Sequence, residues 1–180
     1  ERINRISRRL CSKQWDFQHS AIFSLYQGLY FGFQAWKQGC QAIVAPAAST
    51  EIAFMPFGGP VVYSPDATFR LLEGGYSRYS ELFQLSWWQT DWIESRAIAR
   101  ADRIAVSSRW AMGSVVSDYG YPAHKVVVAS YGPNLDALPP ETEVFARLQT
   151  EHQTVCRILF LAVDWKRKGG DIALEAFYSL

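Results

Sequence analysis

Three cations stand directly ahead of two glycines: Lys166, Arg167 and Lys168, then Gly169 and Gly170. Before them runs an unbroken apolar stretch, 158–163, rich in β-branched and large residues, which reads as a strand buried on both faces. After them Ile172, Ala173, Ala176, Phe177 and Leu180 recur at helical spacing. Strand, glycine-bearing turn and helix make an anion site, because the first N–H groups of a helix lack partners and carry partial positive charge. Lys168 adds a full charge there, with Arg167 beside it and Asp164 at the strand's end. The spacing is neither that of a P-loop nor that of a dinucleotide fingerprint. The competing reading is a solvated basic turn in which Gly169 and Gly170 only relieve backbone strain.

The elements that must position such a turn follow a βα rhythm. Short apolar runs at 42–45, 61–63, 103–106 and 125–128 read as strands. Helical stretches at 69–100, in at least two pieces, and at 108–119, closed by Gly120, lie between them. Ser49-Thr50-Glu51 reads as a further helix start. Strands alternating with helices imply an α/β fold, a Rossmann-like parallel sheet with helices on both faces. Ligands of such sheets sit beyond the carboxyl ends of the strands. Those ends carry Ser64-Pro65-Asp66, Ser107-Ser108 and Gly132-Pro133-Asn134. Asp66 is either an N-cap or a cleft-facing carboxylate able to orient a hydroxyl or move a proton. Ser107 and Ser108 read as caps.

Upstream, 1–17 reads as an amphipathic surface helix with Arg2, Arg5 and Arg9 on one face, which also suits an anionic membrane surface. Residues 18–40 read as a helix whose Phe23, Tyr26, Tyr30 and Phe33 pack on the sheet. Trp88, Trp92, Ser95 and Ala99 form a core stripe, Glu94 reads as solvated, and His19 as a surface or capping residue. The histidines, serines and aspartates show no spacing that nominates a triad or a metal site. Residues 135–154 turn polar around Pro139 and Pro140, as an interdomain linker does.

Bulk properties exclude some classes. An apolar content of 49% with 19% charged residues is globular, and a net charge of +1 gives no general case for nucleic acid. Cys11, Cys40 and Cys156 are odd in number and far apart, which favours reduced thiols and a cytoplasmic protein. No apolar stretch is long enough to span a bilayer. The chain begins at Glu1 and stops at Leu180 inside a helical pattern, so the sequence reads as a fragment.

Several segments together resemble the retaining glycosyltransferases of family 4, whose two Rossmann-like domains form the GT-B fold. They are 61–69 (VVYSPDATF), 101–111 (ADRIAVSSRWA), 118–122 (DYGYP), 125–128 (KVVV), 131–134 (YGPN) and the turn at 160–170. They cover about 60–180 in the family's order, while 1–59 is only loosely similar. The resemblance implies a partial acceptor-side domain over 1–136, a linker over 137–154, and the first strand–helix unit of a nucleotide-sugar-binding domain over 155–180. It implies a nucleotide-diphospho-sugar donor, a sugar, glycan or lipid-linked acceptor, and no cofactor or metal. Lys168 matches the family lysine that contacts the donor diphosphate, with Gly169, Gly170 and Arg167 around it. Asp66 matches a residue on the acceptor side, and Ser64, Asp164, Gly132 and Asn134 would line the cleft. Many relatives carry an arginine where this chain has Val163, so the second cation must come from Arg167, Lys166 or elsewhere. The family's acidic donor motif is absent from these 180 residues, and the chain alone is expected to have little or no activity. The localisation implied is cytoplasmic, with peripheral contact at the inner face of the membrane through Arg2, Arg5 and Arg9. Competing readings are a nucleotide-sugar epimerase or starch-synthase-like enzyme of the same architecture, or a non-catalytic phosphate-binding module.

Overall fold

A computed structural model describes residues 4, 7, 11–73, 75–132, 136–150 and 158–179, with backbone only at 77–78 and 147–150. Two compact units divide between Tyr131 and Gly132: Glu1–Tyr131 and Gly132–Leu180. Arg2, Arg5, Arg9, Asn134 and Cys156 lie outside the described residues.

The first unit is α/β. Helix α1 (Ala21–Lys37) leads into β1 (Ile43–Pro46), the short α2 (Ser49–Ile52) and β2 (Val61–Ser64). Helices α3 (Phe69–Glu73), α4 (Ser77–Ser80) and α5 (Gln84–Arg100) then connect to β3 (Arg103–Val106). Helix α6 (Arg109–Ser117) and a 3₁₀ turn (Ala123–Lys125) lead to β4 (Val126–Val128). The four strands are all parallel, in the order β1-β2-β3-β4. Register pairs Ala45 with Tyr63, Tyr63 with Ile104, and Ile104 with Val126.

Period-two alternation then decides what is buried. Ala45, Val61, Tyr63, Ile104 and Val106 point into the core, where Ile52, Ile93, Ala97, Ile98, Ala111 and Val115 meet them. Fully burying a branched or aromatic side chain contributes ~1.5–3 kcal/mol, so these few residues dominate the stability of the unit. The opposite face, with Val62 and Ala105 half-buried and Val44 69% exposed, is left more open than helices on both faces would leave it. Where each parallel strand neighbours the next in sequence, crossovers of the usual right hand would put their helices on a single side, in keeping with this openness.

Two helices present faces other than those their apolar spacing suggests. Helix α1 buries Ser24, Gly28, Gly32 and Ala35, while Phe23, Tyr26, Tyr30 and Phe33 are exposed, Tyr26 by 62%. Close approach selects the small face. A Cβ on Gly28 would stand 2.8 Å from the Phe54 carbonyl carbon, and one on Gly32 2.7 Å from Pro56 Cδ. Helix α5 buries Ser86, Thr90, Ile93, Glu94, Ala97 and Ile98, while Trp88 is exposed and stacks on Trp92 at 5.8 Å. Glu94 is therefore not solvated, as expected from the sequence, but 5% exposed.

Several of the residues that carry the resemblance act as fasteners. Asp102 ties β2 to β3: its Oδ2 accepts from Val61 N and its own N–H donates to Val61 O, both at 2.8 Å. The Arg70 guanidinium grips both Asp91 carboxylate oxygens at 2.8 and 2.9 Å and donates to the Asp118 carbonyl at 2.6 Å. Ser108 caps α6 by accepting from Ala111 N at 3.2 Å, and Gly120, at φ +68°, follows its end.

The second unit contains α7 (Glu141–Thr150) and α8 (Gly170–Tyr178). The buried strand expected at 158–163 is absent: that segment is in no strand, and Leu161 is 84% exposed. A strand exists through its ladder partners, and no described residues of this unit supply one. Among the described residues no helix is long and apolar enough to cross a membrane.

Candidate functional site

At the carboxyl ends of β1 and β2 the chain leaves a cavity of about 140 Å³. Its polar lining is His19, Ser49, Tyr63, Asp66, Thr90 and Glu94, and Pro65, Phe69, Leu72 and Tyr79 form apolar walls. Four separate segments supply the polar lining. Alternation along β2 turns Tyr63 inward, α2 begins with Ser49, α5 contributes Thr90 and Glu94 one turn apart, and His19 arrives from the segment before α1.

The electrostatics centre on Glu94. Tyr63 Oη donates to Glu94 Oε1 at 3.1 Å. Burial pushes the Glu94 carboxyl up to about 7, against lowering by the Tyr63 and Ser49 hydrogen bonds. Burial also raises Tyr63 well above the usual phenol range, with the neighbouring Glu94 adding to it. Among the described residues no Lys or Arg lines the cavity. Burial outweighs these hydrogen bonds and the nearby His19, so the neutral form is favoured and Glu94 is poised between acid and base near neutral pH.

Asp66 is not the cap of α3. Its Oδ1 accepts from the adjacent Ala67 N at 2.9 Å, while Thr68 occupies the capping position, its carbonyl accepting from Leu71 and Leu72 N–H. The exposed Asp66 carboxylate lines the cavity. Ser64 follows Tyr63 on β2, projects to the opposite face of the sheet and is not part of the lining. Its carbonyl accepts from Ala47 N at 3.0 Å, holding the two strand ends together.

His19 is more than a surface or capping residue. Its Nδ1 lies 2.8 Å from Asp16 Oδ2, with the Asp16 side chain 3% and the His19 side chain 20% exposed. Sequence reasoning missed Asp16, His19, Ser49, Tyr63 and Glu94 as a group. One signal was present: Glu94 falls on the helical stripe of Thr90, Ile93, Ala97 and Ile98. Among the described residues no cluster of His, Cys, Asp and Glu is arranged to hold a metal ion.

In the second unit local bonds shape the basic turn. The Asp164 carbonyl accepts from Lys168 N at 3.0 Å and its Oδ1 from Arg167 N at 3.2 Å, while Arg167 Nε lies 3.5 Å from Oδ2. Gly169 sits at φ +75°, a conformation costly for any residue with a Cβ. Gly170 lies under the Trp165 indole, where a Cβ would collide with Cδ2. Trp165 Nε1 donates to Asp171 Oδ1 at 2.6 Å, which places a carboxylate in the first turn of α8. Lys168 is exposed, and no ion pair to it is found among the described residues. Gly132 is exposed, with open space where a Cβ would stand.

The chain thus carries a buried polar cavity in one unit and an exposed basic turn at a helix start in the other. Comparison with family models, with curated proteins and with solved structures returned no match.

Proposed function

We propose that the chain takes part in retaining glycosyl transfer from a nucleotide-diphospho-sugar to an acceptor hydroxyl. The observation that carries the reading is the position of Asp66, which the resemblance nominates for the acceptor side. It opens onto a polar cavity at the carboxyl ends of parallel strands, the usual ligand position of such sheets. In this reading Asp66 orients the acceptor hydroxyl. Lys168, assisted by Arg167 and by the N–H groups opening α8, stabilises charge on the departing diphosphate. Sugar, nucleotide and acceptor identities are left to experiment.

Titrating the chain with uridine, guanosine and adenosine diphosphates, followed by the amide resonances of 164–171, tests the reading. Saturable shifts with at least one of them are expected, weakened about tenfold in Lys168→Ala, the loss of one charge-assisted contact. Absence of binding, or full binding by Lys168→Ala, sinks it. A second reading, a phosphate-binding turn without catalysis, is favoured by the local roles of Gly169 and Gly170 in backbone conformation and Trp165 packing. Inorganic phosphate binding as tightly as the nucleotides would select it.

A further inference from the structure

The cavity contains a histidine whose orientation is fixed from behind. Asp16, buried, holds His19 Nδ1 with Oδ2 at 2.8 Å. Its Oδ1 accepts from Gln18 N at 3.1 Å, and its own N–H donates to Ser86 Oγ at 2.8 Å. The carboxylate is thus pinned at the backbone and at both oxygens. A carboxylate against Nδ1 selects the tautomer with the proton on that nitrogen and leaves a lone pair on Nε2. His19 lines the cavity, so a ligand that reaches Nε2 meets an acceptor.

The charged and titratable groups around it are Asp66, Glu94 and Tyr63, with Tyr79 on the wall. Two are carboxyl groups, none among the described residues is a cation, and the Tyr63 proton is committed to Glu94. A ligand headgroup that is itself an anion would meet repulsion here. A hydroxyl, which brings a proton and no charge, meets an acceptor. The apolar walls at Pro65, Phe69 and Leu72 suit the C–H surface of a saturated ring.

We propose that His19, held by Asp16, accepts the proton of a ligand hydroxyl in this cavity, with Asp16 as its positioning residue. The step in which this matters rests on the transfer reading above. The acceptor O–H bond breaks and its proton passes to the Nε2 lone pair. The electron pair left on oxygen forms the bond to the anomeric carbon of the nucleotide-diphospho-sugar on the face from which the diphosphate departs, so the configuration is retained. The bond from that carbon to the diphosphate oxygen breaks, and its electrons leave with the diphosphate. The imidazolium formed is stabilised by Asp16 and returns its proton to water.

The test uses the 180-residue chain and long-range proton–nitrogen NMR of its histidines. Wild-type His19 is expected as the Nδ1–H tautomer, and at least one of methyl glucoside, methyl mannoside and methyl galactoside should move its Nε2 resonance saturably. Inorganic phosphate should not. Asp16→Asn should lose the tautomer preference, and folded His19→Gln, checked by circular dichroism, should bind the glycoside more weakly. An Nε2–H tautomer in the wild type overturns the proposal, as does an Nε2 resonance that no glycoside moves. Both readouts need only the wild-type protein. Failure of nucleoside diphosphates to bind near Lys168 would sink the transferase reading instead and leave the His19 result standing.

Discussion

The cavity of the first unit and the basic turn of the second differ in how each is held. The cavity draws on the 16–19 segment, α2, β2 and α5, and its members are fixed by contacts up to 70 positions apart in sequence, such as Asp16 N to Ser86 Oγ. The contacts described for the turn fall within eight residues, among them those of Asp164, Trp165 and Asp171. A site assembled over long range inherits the rigidity of the core beneath it, while a local turn keeps its shape by its own bonds and stays wet. The first is suited to shifting protonation equilibria, the second to meeting an anion in solvent.

The sharpest way to break this contrast is to cut equivalent side chains on the two sides of it. Ile104→Ala, at a fully buried β3 position, should cost ~2–5 kcal/mol in urea unfolding. Leu161→Ala, at a position 84% exposed, should change stability by no more than ~0.5 kcal/mol. Comparable losses at both sites would mean that 158–163 is buried after all.

Next in size is the linkage between folding and Glu94. Folding raises this acid from its usual value of 4.5 to about 7, so the fold favours the neutral form. Its stabilising effect is complete below pH 4.5 and is lost as pH rises through about 7. The loss through this one group amounts to about 3 kcal/mol. Glu94→Gln should remove that slope, and denaturation midpoints at pH 5 and pH 8 read it directly. A slope unchanged in the variant would assign it to other groups.

Smaller effects separate the two glycine environments. Gly28→Ala drives a Cβ into the Phe54 backbone and should cost ~1–3 kcal/mol, seen as a lower melting temperature. Gly169→Ala meets no close atom and has only its positive φ to oppose it, for about 1–2 kcal/mol felt in the turn and the start of α8. Hydrogen exchange at 170–173 should register the second change while the amides of β2 and β3 do not.

Much of the first unit was legible in its sequence. Short apolar runs flanked by turn residues gave all four strands, and Ser108 and Gly120 marked α6 because caps and left-handed turns are local chemistry. Large aromatics misled for α1: their spacing is helical, but Gly28 and Gly32 set the buried face through a backbone approach no periodicity rule weighs. At 158–163 composition argued for a strand, yet pairing is a property of two segments and composition describes one. For the site, Asp66 could be placed at a strand end from sequence because topology decides where strand ends lie. His19 and Glu94 could not be joined, since their meeting depends on how α1 and α5 dock. Asp102, Asp118 and Tyr119 look like signature residues and prove to be fasteners of strands and helices.

Carbon-13 NMR of the Glu94 side-chain carboxyl, followed through a pH titration, tests most directly whether the cavity is a buried polar centre in which desolvation outweighs the groups that favour the charged form. A midpoint near 7 is the predicted result. A midpoint close to the ordinary 4.5 would mean that water or a cation reaches Glu94, and the account of the cavity would fail.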